Sequence, residues 1–172
     1  MTQKENFKKW FRDIIENLYK YEHGGFVLLM IAFPLLERYL RSKSGTDEDK
    51  KLGEDFYREL VKLFPVLKDN DCAKNFWQVY RNGILHQATL SEQSRKGIRM
   101  PDGWLSGETN DIKIDPQNAF RVNPVKFAKR VIDIIDNDFS TYEALSLRAS
   151  GLPKVQIMSS GSYGTSGSNV KV

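Results

Sequence analysis

Eleven consecutive apolar residues, Phe26 to Leu36, are the first thing any fold of this chain must accommodate. The run is too short to cross a bilayer as a helix, and Pro34 lies inside it. A helix apolar on all sides needs protein around it, so the segment predicts a buried central helix from about Phe26 to Arg41. Pro34 is expected to kink it or to leave one carbonyl unpaired. The second half, Glu37-Arg38-Tyr39-Leu40-Arg41, turns amphipathic, and Ser42 to Thr46 reads as a loop.

Other segments carry the helical stripes that would cover this element. Phe7, Trp10, Phe11, Ile14, Ile15 and Leu18 form one stripe, which His23-Gly24-Gly25 ends with a turn. His23 is expected at the helix C-terminus, against the last carbonyls. Thr46 and Asp49 have capping-box spacing and predict the start of a third helix through Leu52, Phe56, Leu60, Leu63 and Phe64. A fourth follows Asn70-Asp71, with Phe76, Trp77, Tyr80, Ile84 and Leu85 as its apolar set, and loses its pattern after Leu90. Asn123-Pro124 starts a fifth, carrying Phe127, Ala128, Val131, Ile134, Ile135, Phe139 and Tyr142 on one face. Between these two, over about 96–122, turn signals separate the short pieces Trp104-Leu105, Ile112-Lys113-Ile114 and Phe120-Arg121-Val122.

The expectation is an all-α bundle of about five helices with a small inserted β-hairpin or irregular excursion before the last helix. It would occupy residues 1–146, followed by a flexible Gly/Ser-rich tail over 147–172 that holds one apolar patch, Leu152 to Met158. Trp10, Trp77 and the phenylalanines at helical spacing read as core. Trp104 and Tyr163, outside the regular helices, read as ligand contacts.

Composition narrows the chemistry. A chain of 172 residues with 28% charged residues is an ordinary globular composition. Its one cysteine, Cys72, excludes an internal disulfide framework and reads as a packed thiol rather than a reactive one. With only His23 and His86 beside it, no His/Cys metal cluster can be assembled, which leaves a carboxylate-bound hard cation as the open metal chemistry. The first twenty residues lack the unbroken apolar stretch of a leader. A soluble cytoplasmic chain without membrane contact is therefore expected. Arg148, Lys154 and Lys171 lie in an acid-free tail, so the total of +4 leaves only +1 on the body up to Leu145. That balance disfavours a nucleic-acid coat protein but suits an enzyme that touches one or two phosphates.

One constellation carries chemistry: Arg81-Asn82-Gly83-Ile84-Leu85-His86 on the fourth helix. Asn82 and His86, four apart, share an α-helix face, and Arg81 stands about 140° around from His86 with a side chain long enough to reach back. Gly83 is a poor helix former, which suggests a close approach to the backbone there. A titrating imidazole can carry a proton near neutral pH, and a guanidinium can hold two phosphate oxygens as charge grows on them.

An Arg-x4-His motif with a polar residue after the arginine, on a late helix of a small bundle, resembles the HEPN superfamily. The resemblance spans roughly residues 5–145 as topology and six residues as sequence. It implies a metal-independent endoribonuclease of a toxin, phage-defence or RNA-processing system, without a cofactor. It further implies RNA as substrate, a homodimer through the motif helix and a protein inhibitor or system partner. Arg81 and His86 would be the catalytic pair and Asn82 the polar helper. The subgroup with tyrosine two positions after the histidine is not matched, because Ala88 stands there, and the excursion is longer than a minimal member needs. Two other readings stay open: a non-catalytic helical module that binds RNA or protein with the motif intact, or a structural role in which Arg81 forms an ordinary salt bridge and His86 caps or pairs on the bundle surface. Glu37 and Arg38 are placed either to orient Arg81 across the bundle or to form a plain interhelical ion pair.

Overall fold

The structure, a computed structural model, describes residues 2–47, 50–87, 94–95, 98–99, 102–108 and 110–148, without the side chains of 85–87, 94–95, 98–99 and 145–148. Most of the described chain is helical, and a small three-stranded sheet is set into it. No helix among the described residues is long and apolar enough to cross a membrane. Tyr163 and the patch from Leu152 to Met158 lie outside the described residues.

α1 is built from three successive pieces, Gln3–Phe7, a π-helical Lys8–Arg12 and Asp13–Leu18, and Thr2 with Glu5 caps its start in a reciprocal capping box. Its stripe is only partly core. Phe7 and Ile15 are buried, whereas Trp10 is 36% exposed, contrary to the reading of that tryptophan as core. The wider turns at Lys8–Arg12 shift the register of the stripe, and Trp10 lies within that piece. The carbonyls of Asn17 and Leu18 are taken by the N–H groups of Lys20 and Tyr21, so His23 does not close this helix.

α2 (Gly25–Ser44) is the central element that its apolar run demands, burying Leu28, Leu29, Ala32, Phe33, Leu35, Leu36, Tyr39 and Leu40. It continues through Pro34. Proline removes the N–H that would pair with the Met30 carbonyl, and Met30 and Pro34 are both exposed, which leaves that carbonyl on the water side. Gly45, at φ 67°, ends the helix: its N–H bonds the Ser42 carbonyl and the Thr46 N–H bonds that of Arg41, a Schellman motif. Thr46 thus closes α2 rather than opening the next helix, and Asp49 lies outside the described residues. α3 (Glu54–Leu63) starts later than its capping signal suggests, with Gly53 rather than Thr46 at its N-cap and with Glu54 and Asp55 in its first turn, where the helix dipole favours acids.

α4 (Asn70–Trp77) is capped by Asp69, whose carboxylate accepts the Cys72 N–H at 2.8 Å, and it runs on without a break as a π-helix, Gln78–Gln87. Burial, followed by the nearby charge of Asp69, pushes the Cys72 thiol up, as befits a packed rather than a reactive cysteine. The excursion is more than a hairpin. β1 (Ser94–Arg95) and β2 (Ile98–Arg99) pair antiparallel, while β3 (Gly103–Leu105), β4 (Ile112–Ile114) and β5 (Phe120–Val122) form a sheet of order β3-β5-β4 in which β3 runs parallel to β5.

Asn123 caps α5 (Pro124–Asn137) by accepting the Lys126 N–H at 3.1 Å, with Pro124 in the first turn. The single last helix of the sequence reading is in fact two. Asp138, at φ −136° and ψ 53°, separates α5 from α6 (Phe139–Arg148). Its carboxylate accepts bonds from Lys43 at 2.9 Å and Tyr39 at 3.0 Å, both on α2, and the Lys43 bond first of all holds it down at about 2.

One buried hydroxyl joins an outer strand, β3, and the central strand, β5, of the sheet to the bundle. The fully buried Tyr80 Oη accepts the Trp104 N–H at 3.0 Å, and its own proton serves the carbonyls of Trp104 at 2.8 Å and Phe120 at 2.9 Å. Gly103 comes so close that an added Cβ would stand 2.5 Å from Val79 Cγ1. Burial pushes the Tyr80 phenol far up, keeping it a neutral donor. Tyr80→Phe strands a buried N–H and two carbonyls, so urea denaturation should show a loss of about 1–3 kcal/mol. A neutral result would mean that apolar packing alone holds the sheet.

Candidate functional site

The residues singled out on the fourth helix fall in the π-helical extension of α4. This changes their geometry. Hydrogen bonds in such a helix run from residue i to i+5, so its wider turn brings residues five apart, as well as four apart, onto one face. The backbones of Arg81 and His86 therefore line up along the helix, where an α-helix would separate them by about 140°. The side chain of His86 lies outside the described residues. Gly83, the poor helix former between them, is buried.

Arg81 is fixed from the neighbouring helix. Its Nε donates to Glu37 Oε2 at 2.7 Å, and its Nη1 donates to Asn82 Oδ1 at 3.3 Å. The other oxygen of Glu37 accepts Arg41 Nε at 3.0 Å. Arg41 in turn donates through Nη1 to the carbonyls of Asp47 and Lys50, at 2.8 and 2.9 Å, which ties the loop after α2 to the same cluster. Glu37 and Arg41 side chains are each 12% exposed, and that of Arg81 is 25% exposed. One carboxylate thus aligns two guanidinium groups at the edge of solvent.

Of the two residues expected to orient Arg81, Glu37 does so and Arg38 does not. Adjacent helix residues point about 100° apart. Arg38 lies on the other side of α2, its guanidinium 4.6 Å from the centre of the Tyr142 ring and its Nε buried without a hydrogen-bond partner.

Arg81, Asn82, Glu37 and Arg41 line an open groove of about 460 Å³. Lys51 and Lys74 line it as well, and both were missed from sequence. Lys74, Gln78 and Arg81 do follow at intervals of four and three, a helical stripe that could have pointed to Lys74. Lys51, in the loop before α3, offers no such signal. A larger cavity of about 600 Å³ lies at the start of α2, bordered by His23, Phe26, Leu105 and Lys126, and contains none of the motif residues. Trp104 is 56% exposed, open to contact as its position outside the helices suggested. No group of three or more His, Cys, Asp and Glu among the described residues is placed to hold a metal ion.

What the groove can do follows from its charges. Guanidinium and ammonium groups around one partly shielded carboxylate favour an anion with several oxygens, a phosphate before a carboxylate. Glu37→Gln removes the charge that keeps Arg41 and Arg81 apart and aligned, and its amide can accept from only one of them. Denaturation should show a loss of about 1–3 kcal/mol. Arg81→Ala should cost less, since Glu37 keeps Arg41. Equal stability of Glu37→Gln and the parent would place this pairing among the surface bridges of little worth. The chain was compared with protein-family models, curated proteins and solved structures, and none of them matches it.

Proposed function

We propose that this chain is a metal-independent endoribonuclease of the HEPN type, with Arg81 and His86 as its catalytic pair. The observation that carries the reading is the Arg81 guanidinium, held by Glu37 and Asn82 at the rim of a basic groove, on a helix whose wide turn aligns its backbone with that of His86.

In this reading His86 removes the proton of a ribose 2′-hydroxyl. The 2′-oxygen forms its bond to the adjacent phosphorus, the bond from phosphorus to the 5′-oxygen breaks, and a 2′,3′-cyclic phosphate is left. Arg81 holds the non-bridging oxygens while charge accumulates on them. Glu37 is a positioning residue: by occupying Nε it sets the plane of the guanidinium. Asn82 orients the same group from the side. The departing 5′-oxygen needs a proton, and a second copy's His86 supplies it.

That requirement makes the active form a homodimer through the motif helix, and a face of α2 that borders the same groove can extend the contact. Val27, Met30, Pro34, Glu37 and Arg41 follow one another at intervals of three and four, so the exposed apolar residues of the first half lead directly to the groove. A two-fold contact across this strip brings two grooves together from identical surfaces.

Purified protein should cleave single-stranded RNA in EDTA and leave cyclic phosphate ends. His86→Ala should lose at least about 100-fold in rate. Arg81→Lys should keep RNA affinity but lose most turnover, because an ammonium cannot both bond Glu37 and clamp two oxygens. Activity that survives His86→Ala, or that requires added Mg²⁺, sinks the mechanism. RNA binding without any cleavage would favour the binding-module reading instead. Sedimentation at micromolar concentration should show a dimer, converted to an inactive monomer by Met30→Asp at an exposed position. A fully active monomeric parent would remove the dimer from the scheme.

A further inference from the structure

The groove beside Arg81 carries more positive charge than its own carboxylate balances. Both oxygens of Glu37 are occupied by Arg41 and Arg81. Lys51 and Lys74 project into the same groove from exposed positions, and among the described residues neither forms an ion pair. Lys43, Lys50, Lys62 and Lys113, by contrast, each sit on a carboxylate at 2.6 to 2.9 Å. Among the described residues that line the groove, four cations face one acid, on a body that totals only +1. The excess is local.

A second observation is independent of charge. Trp77 lines this groove at 2% exposure, and its indole Nε1 is buried without a hydrogen-bond partner. Buried donors are nearly always satisfied, and this one, closed to water here, reaches an acceptor oxygen in the groove only with a small shift of the Trp77 ring. Lys74 stands seven residues before Arg81 on the same helix, roughly 10 Å along its axis at 1.5 Å per residue. The long, flexible stems of both side chains let their charged heads approach more closely than that.

We propose that Lys51, Lys74 and the Trp77 indole N–H form a subsite for a second phosphate of an RNA strand, adjoining the phosphate held at Arg81. The substrate class rests on the ribonuclease reading above. The strand then lies along α4, from Lys74 toward His86. The subsite contributes affinity and register, not chemistry.

The test uses the full chain and a fully 2′-O-methylated single-stranded oligoribonucleotide, which cannot be cut because it has no free 2′-hydroxyl. Binding is followed by fluorescence anisotropy over a range of salt. Lys51→Gln/Lys74→Gln should bind about tenfold more weakly than the parent, and its salt dependence should be shallower by about 0.7 in log–log slope for one lost phosphate contact. Lys20→Gln/Lys129→Gln, which removes the same charge from other exposed positions, should change neither value. With unmodified, cleavable RNA, the loss in kcat/KM should appear in KM. Trp77→Phe, provided its melting curve stays cooperative, should weaken binding without altering the salt slope.

Unchanged affinity in the Lys51/Lys74 variant, an equal loss in the Lys20/Lys129 control, or no binding by the parent at all would overturn the subsite. Cleavage of unmodified RNA by the parent in EDTA reports on the parent reading separately. Lysine-dependent binding with no cleavage would leave the subsite standing and discard the nuclease.

Discussion

The structure depends on keeping water away from Phe33. This side chain sits at the middle of α2, fully buried, with the rings of Phe76, Trp77, Tyr80 and Phe127 at centroid distances of 4.9 to 6.1 Å. Three of those four rings belong to α4 and its extension, and the fourth to α5. A helix apolar all round cannot choose an orientation by amphipathicity, so the aromatic contacts set which face each neighbour covers. Trp77 and Tyr80, locked against Phe33, determine where Arg81 emerges. Tyr80 then uses its one polar atom to take on the sheet.

Next to this apolar centre, Glu37 performs an electrostatic task that a neutral residue could not. Two arginines brought within reach of each other repel, and half-burial weakens the screening that water would provide. A carboxylate with one oxygen for each guanidinium turns that repulsion into a fixed spacing. Arg41 directs Nη1 at two backbone carbonyls of the following loop, so the cluster also secures the chain between α2 and α3. The catalytic candidate is thereby tied to the same helix that organises the core.

How much of this was legible in the sequence varies by element and for definite reasons. The central helix was legible because eleven apolar residues in a row have few other fates. The start of α3 was not. Gly45-Thr46 fits a Schellman end as well as a cap, and the left-handed glycine decided in favour of the end. The break at Asp138 was hidden because Ile135, Phe139 and Tyr142 keep helical spacing straight through it; only the pull of Tyr39 and Lys43 on the carboxylate marks it. The strand pieces were visible as alternation, but the parallel pairing of β3 with β5 has no local signature. At the site, Arg81, Asn82 and Glu37 were found because they are charged or polar residues at helical spacing on half-apolar helices. Lys51 was invisible, since its place in the groove is set by the loop that Arg41 holds.

The wide helix beneath Arg81 has a consequence for how such a motif is recognised at all. A residue count between two functional groups is a length along the chain, and it becomes an angle only once the type of helix is known. With four intervening residues, a π-helix brings the two ends into line, whereas an α-helix needs three to do the same. A pattern search tuned to α-helical periodicity would rank Arg-x4-His as two unrelated positions. Read on this backbone, it is one turn of a single helix.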